Sequence, residues 1–213
     1  MACFITFEGI EGCGKTTQLQ LLAKNLSTRG HLVTVTREPG GCPIADRVRE
    51  ILLDAENSAM TPMTELLLYA AARAQHVAEV VVPALDAGRI VLCDRFTDAT
   101  VAYQGYGRGL DQAVIADLGR LATGGIRPEL TVLVDCPVEV GIARAMSRIN
   151  SSHGAREERF ELESLQFHQR VREGYLSLAE REPDRFIVID GAGSIEKTGA
   201  AIAEALLPRL AKG

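Results

Sequence analysis

A chain of 213 residues with 46% hydrophobic and 24% charged side chains can bury a substantial core, which excludes a disordered chain. A formal net charge of −5 argues against a broad basic surface for polymeric nucleic acid or anionic membrane. No apolar run reaches the ~18 residues that a membrane span needs, and the start, MACFITFEG, has neither the basic flank nor the cleavage site of a secretory leader. Cys3, Cys13, Cys42, Cys93 and Cys136 make an odd count without CxxC or Cys/His metal spacing. The expectation is a reduced, cytoplasmic protein whose thiols act as small apolar side chains.

In chain order, short and often β-branched apolar runs predict strands over Cys3–Phe7, Leu32–Thr36, Arg89–Cys93, Leu130–Asp135 and Arg185–Ile189. Longer periodic stretches predict helices over Thr16–Ser27, Ile44–Leu53, Thr64–Val82, Gln112–Leu121, Val138–Ile149, Phe160–Ala179 and Ile195–Leu210. This alternation predicts an α/β fold, a doubly wound five-stranded parallel sheet flanked by helices. Ligands in such sheets bind beyond the carboxyl ends of the strands. The residues rich in chemistry lie there, at Glu8–Thr17, Arg37–Gly41 and Asp94–Gln104. One domain is expected, with the irregular polar stretch Arg148–Arg159 as a mobile flap.

The residues Gly9, Ile10, Glu11, Gly12, Cys13, Gly14, Lys15 and Thr16, followed by Thr17, fit G-x-x-x-x-G-K-[ST] between a predicted strand and a predicted helix. Glycines let successive backbone N–H groups turn towards phosphate oxygens, Lys15 adds a point charge, and the Thr16 hydroxyl can ligate Mg²⁺. The helix that follows aims its positive end at the same anion. The motif predicts triphosphate binding but leaves the reaction open. Strand four runs into VDCPVEV, with no guanine-reading NKxD. Strand three ends CDRF, placing Arg95 where motor ATPases carry a second acid.

Arg37, Arg73 and Arg95 gather at the predicted mouth of the sheet and suit a second anion, because guanidinium forks match phosphate oxygens. A phosphate acceptor is largely dianionic at neutral pH and needs no strong base. The obstacle is repulsion, about 4 kcal/mol for two unit charges 4 Å apart at an effective dielectric of 20. Arginines, Lys15 and Mg²⁺ would offset it. A nucleoside monophosphate kinase fits these features best.

FEGIEGCGKTT, TREPGG, LLLYAAARAQH, DRFTDATVAYQG and ERFE, in this order, resemble the bacterial thymidylate kinase family of P-loop nucleoside monophosphate kinases. The resemblance implies the P-loop NTP hydrolase fold with a helical lid at about 144–160, and transfer from ATP with Mg²⁺ to dTMP, giving dTDP. It places Glu11 near the acceptor's sugar and phosphate, with Pro39 in the same site. Arg37 and Arg95 would hold the dTMP phosphate, and Asp94 would join Thr16 around Mg²⁺. Tyr69 would stack on thymine while Arg73, one helical turn on, donates to O4. Thr100 would lie near the base, Tyr103 under the sugar and Gln104 at the rim.

Some members carry an arginine where this chain has Gly12. The resemblance then implies that the lid supplies the charge, from Arg144, Arg148, Arg156 or Arg159, with Arg159 of ERFE the first choice and Arg144 and Arg148 on the ATP side. Catalysis would rest on Lys15, Arg95, Arg159 and Glu11. A homodimer is also implied. ERFE departs from the family's more usual DRxE, Ala72 stands where aspartate is frequent, and Cys42 where threonine is. The four histidines, His31, His76, His153 and His168, form no metal-like spacing and read as structural or exposed. The alternatives are another small-acceptor P-loop kinase, for a different nucleoside monophosphate or a deoxynucleoside, and a non-catalytic nucleotide sensor or assembly ATPase.

Overall fold

The computed structural model describes residues 2–151 and 159–210. Arg156 and His153 lie outside the described residues. Five parallel strands, β1 (Cys3–Glu8), β2 (Val33–Arg37), β3 (Ile90–Asp94), β4 (Leu130–Asp135) and β5 (Phe186–Asp190), form one sheet in the order β2-β3-β1-β4-β5. Each begins and ends within one residue of its predicted span. β1 is buried along its whole length because it is the central strand with helices on both faces. Its register sets Phe7 beside Asp94 of β3, and Asp94 in turn beside Arg37 of β2. The residues that leave these three strands are therefore neighbours.

The helices are α1 (Lys15–Thr28), α2 (Pro43–Leu53), α3 (Pro62–His76), α4 (Val82–Asp86), α5 (Thr97–Thr100), α6 (Gln112–Thr123), α7 (Val138–Ser151), α8 (Leu165–Arg181) and α9 (Ile195–Leu210). Pro43 and Pro62 open their helices, where a missing N–H costs nothing. α3 passes through a π-helical turn at Val77–Val81 into α4, so the predicted stretch Thr64–Val82 is a helix that widens and then resumes.

One helical stretch was not predicted, and one predicted span differs more. The stretch after β3 is helical from Thr97 to Gly107, with a π-helical second half at Val101–Gly107. Its short length and its glycines gave no helical period. At Gly107 a Cβ would meet Phe167 at 2.7 Å, so bare backbone there lets α8 close against it. The second difference is the start of α8, five residues later than expected. Ser164 accepts the Phe167 N–H at 3.2 Å and caps the helix, leaving Phe160–Ser164 in turns.

The larger core joins β1, β4 and β5 to α1, α8 and α9 through Phe7, Leu19, Val132, Val171, Tyr175 and Leu206. A second cluster covers the other face, with Phe4, Val77, Val81, Val91 and Phe96. Phe4 and Phe96 meet edge to face with centroids 4.8 Å apart, which pins the chain immediately after Arg95. All five cysteines are free and buried.

Candidate active site

A cavity of about 1300 Å³ opens beyond the carboxyl ends of β1, β2 and β3. A single small ligand occupies ~300–1,000 Å³, so two nucleotides have room. One wall is the phosphate loop and the start of α1, including Glu11, Gly12, Gly14, Lys15, Thr16 and Thr17. The opposite wall carries Arg37, Pro39, Tyr69, Arg73, Thr100 and Tyr103. Asp94 and Arg95 lie between them, and Arg148, Phe160 and Glu161 line the cavity from the predicted lid side.

The loop is wound as the glycine spacing predicts. Gly9, Gly12 and Gly14 have φ values of 139°, 68° and 98°, which side chains rarely adopt. Gly12 also abuts α7, where an added Cβ would run into the carbonyl oxygen of Gly141. Lys15 is buried and donates to the carbonyl oxygens of Gly9 (3.0 Å) and Ile10 (2.8 Å). The Thr16 hydroxyl donates to Asp94 Oδ2 at 2.5 Å. Gly9, Ile10 and Cys13 support the loop from beneath, Ile10 and Cys13 belonging to the core.

Arg95 is held from three sides. Its backbone is left-handed, φ 69°, the sole non-glycine residue of this kind among the described residues. Nη2 donates to Glu11 Oε1 (2.9 Å) and to the Tyr103 hydroxyl (3.0 Å), and Nη1 donates to the Tyr175 hydroxyl (3.0 Å). Tyr103 also donates to Glu11 Oε1 at 2.5 Å. Burial raises the Glu11 carboxyl, but Arg95, His168, Lys15 and Tyr103 outweigh it and hold the group at about 2. His168 Nδ1 stands 3.4 Å from Glu11 Oε2, and both atoms are buried without a hydrogen bond.

Arg73 is buried, with Nε on Glu38 Oε2 (2.7 Å) and Nη2 shared by Thr100 Oγ1 and the Phe96 carbonyl, each at 3.0 Å. His76 Nδ1 takes the other Glu38 oxygen at 2.8 Å, and its Nε2 meets Thr36 Oγ1 at 2.6 Å. Glu38 thus aligns Arg73 from behind. Tyr69, half-buried and one turn from Arg73, faces Phe160, which packs edge-on against Tyr103 with centroids 5.4 Å apart. Arg37 is exposed and pairs with Asp46 at 3.2 Å.

The remaining expected residues are tied to the protein's own groups in this structure, Gln104 and Arg148 at the cavity lining and Arg159 and Arg144 away from it. The Gln104 amide donates to Glu65 Oε1 at 2.8 Å. Arg159 is buried away from the cavity lining, with Nη1 2.7 Å from Glu65 Oε2 and Nε donating to the Leu52 carbonyl at 2.5 Å. Arg144 donates to the carbonyls of Gly191 (2.8 Å) and Ala192 (3.1 Å), after β5. Arg148 lies 3.7 Å from Glu161.

The sequence assigns no role to Glu38 of TREPGG, Phe160 of ERFE or Tyr175, and His168 reads there as structural or exposed. Glu8, inside FEGIEGCGKTT, is likewise given no role. Its Oε1 accepts the Phe96 N–H (2.7 Å) and its Oε2 the Tyr175 hydroxyl (2.8 Å). Burial and then Asp98 push the Glu8 carboxyl up to about 8, against the pull of Arg95, Tyr175 and the Phe96 N–H.

The profile of the family described as Thymidylate kinase matches residues 7–202. A thymidylate kinase of Geotalea uraniireducens is 70% identical over 213 residues, covering all of both chains. That of Geobacter sulfurreducens is 67% identical over 210 residues, 99% of each. The crystal structure of thymidylate kinase from Ehrlichia chaffeensis superposes with a TM-score of 0.76 at 34% identity, covering 97% of this chain and 98% of that one. With a matching profile over most of its length and relatives of this identity over its whole length, the chain belongs to the thymidylate kinase family.

Proposed function

We propose that this protein transfers the terminal phosphoryl group of ATP to the phosphate of dTMP, giving ADP and dTDP. The observation that carries the reading is the 2.9 Å contact between Arg95 and Glu11. It joins the arginine we assign to the acceptor phosphate with a residue of the loop we assign to the donor, which supports a reading in which the two anions would meet there. Family membership supports the same chemistry.

Lys15 would exchange the carbonyls of Gly9 and Ile10 for phosphate oxygens of ATP, and the loop N–H groups would hold the rest of the chain of phosphates. Arg95 and Arg37 would take the dTMP phosphate, whose second negative charge makes a general base unnecessary. Glu11 would face the acceptor's sugar and phosphate. Tyr69 would stack on thymine and Arg73, aligned by Glu38, would donate to O4. Thr100 and Pro39 would complete the base and phosphate ends, Tyr103 would lie beneath the sugar, and Gln104 would stand at the rim with its amide nitrogen held by Glu65.

Thr16 and Asp94 offer the hard oxygen donors that Mg²⁺ prefers, and a single carboxylate suits an ion that also binds substrate phosphates. Bound there, Mg²⁺ would neutralise charge on the group in transfer. Among the described residues no group of three or more His, Cys, Asp or Glu side chains could hold a metal by itself, and this chemistry does not need one.

We read the chain as one kinase domain with a lid at about 144–160. Closure would exclude water and bring lid arginines to the phosphates. Arg148 already lines the cavity; Arg144 and Arg159 would have to leave their present partners. A homodimer is part of the proposal, supported by Met63 and Leu67 of α3 and Val114 and Leu121 of α6, all exposed on helices that pack together. No helix among the described residues is long and apolar enough to cross a membrane, and we place the protein in the cytoplasm.

The test is ADP release from ATP and Mg²⁺ with dTMP, dUMP, dCMP, dGMP, dAMP and thymidine offered separately. Release that depends on dTMP, with weaker use of dUMP, is expected. Dependence on another monophosphate alone would discard the Tyr69 and Arg73 assignments. Equal release without any acceptor would replace the kinase by an ATPase.

A further inference from the structure

Glu8 ends the central strand, is fully buried and points at no part of the cavity surface. Its two oxygens nevertheless control the residue that does. One accepts the N–H of Phe96, the peptide immediately after Arg95. The other accepts the hydroxyl of Tyr175 on α8, and that hydroxyl accepts Nη1 of Arg95. The Arg95 N–H is itself donated to the carbonyl of Phe7, one residue before Glu8. A left-handed backbone at a bulky residue costs ~1–3 kcal/mol and persists only where its surroundings over-determine it. β1 supplies that determination on both sides of Arg95.

We propose that Glu8 is a positioning residue for acceptor phosphate binding, fixing the Arg95 backbone through the Phe96 peptide and the Arg95 guanidinium through Tyr175. The polarity of the chain is consistent throughout. In the ionised form, which dominates above about pH 8, Phe96 and Tyr175 donate to the carboxylate, which leaves the phenol lone pairs for the guanidinium. Nη2 is directed separately by Glu11 and Tyr103, so the plane of the fork is set by two independent anchors on its two ends. Without the Tyr175 anchor, the guanidinium can turn about its Nη2 contacts and loses the fixed fork that phosphate recognition needs. Glu8 touches neither substrate and acts only through Arg95.

The proposal rests on the assignment of Arg95 to the acceptor phosphate, and the test separates the two. Dissociation constants for dTMP and for thymidine, which lacks the phosphate, are measured on the full chain by calorimetry at about pH 9.5, well above the value of about 8 to which the Glu8 carboxyl is pushed. Tyr175→Phe removes the hydroxyl link and little volume. Glu8→Gln keeps an acceptor for Phe96 but turns an amide N–H₂ towards Tyr175, leaving the phenol proton without its acceptor. Each should weaken dTMP roughly tenfold while thymidine and ATP stay within about twofold, and the double variant should be little worse than either single one. Arg95→Ala is the control and should show the same phosphate-specific loss.

If Arg95→Ala weakens dTMP selectively and Glu8→Gln does not, the role of Glu8 is overturned while the acceptor assignment stands. If Arg95→Ala weakens thymidine as much as dTMP, the acceptor assignment itself falls. A Glu8→Gln protein that melts lower yet binds dTMP and thymidine normally would reduce Glu8 to a structural role. Should Glu8→Gln fail to fold, Tyr175→Phe decides alone, since unaltered dTMP affinity there breaks the proposed link.

Discussion

Arg159 and Glu65 form a buried ion pair 2.7 Å long that ties the end of the predicted lid to α3. Glu65 is shared, for Arg108 donates to both of its oxygens at 3.1–3.2 Å and Gln104 to one. The pairing is therefore asymmetric. Glu65→Ala strands the buried Arg159 guanidinium, while the part-buried Arg108 keeps Glu163, and should cost ~3–5 kcal/mol in urea unfolding. Arg159→Met loses the guanidinium over Phe160 but leaves Glu65 with two partners, Arg108 and Gln104, so it should cost clearly less. Equal losses would contradict the shared arrangement. The kcat of Arg159→Met, measured well below its melting temperature, tests whether the arginine leaves Glu65 during turnover; the proposed lid role requires a loss of tenfold or more.

Gly12 is the position where an arginine would supply charge from the loop itself, and the fold forbids it here. Its φ is 68°, and a Cβ would collide with the Gly141 carbonyl, which belongs to α7 and cannot swing aside as a flexible side chain would. Gly12→Arg and Gly12→Ala should each lower stability by about 3 kcal/mol, through strain and overpacking. Gly141→Ala should do likewise, because its Cβ would come within 2.5 Å of the Glu11 carbonyl oxygen. Thermal melts of the three variants check this, and a wild-type melting temperature for Gly12→Ala would refute the close contact.

Lys15→Ala should slow phosphoryl transfer by ~10²–10³-fold with every acceptor that is used at all, if the lost charge serves the donor as proposed. Affinity for dTMP measured without ATP should change by less than about twofold. A defect confined to one acceptor would place Lys15 on the wrong substrate.

Glu8 makes stability pH-dependent in a direction opposite to an ordinary paired carboxylate. Its carboxyl is raised from 4.5 to about 8, so the folded state binds its proton more tightly than the unfolded chain. Between these values the unfolded chain carries fewer protons, and this contribution to stability falls as pH rises. It is fully present below about pH 4.5 and lost through about pH 8. Glu8→Gln does not titrate. The wild-type melting temperature minus that of Glu8→Gln should therefore decline from about pH 5 to about pH 8.5. A difference that stays flat would mean that Glu8 is not raised.

The strands and the phosphate loop were legible because each is written in contiguous residues. A strand buried on both faces is an uninterrupted apolar run, and the loop is a fixed spacing of glycines, lysine and threonine. Thr97–Gly107 was not legible as helix, since it is short, contains Gly105 and Gly107, and owes its shape to the close approach of Phe167. Glu8, Tyr175 and His168 were hidden for a different reason. Their importance comes from partners 88, 80 and 157 positions away in the chain, Phe96, Arg95 and Glu11. No local pattern records such pairs.

The sequence by itself determined the order of β and α elements, the winding of the glycine-rich loop and the supply of arginines at the strand ends, because period, spacing and charge are local properties. Only the tertiary structure decided which way those arginines face. Parallel pairing of β1 with β3 brings Glu8 and Glu11 to Arg95, while α3 captures Arg159 through Glu65. A buried guanidinium must find partners for its donors or pay a large desolvation cost, and packing alone determines which partners are within reach.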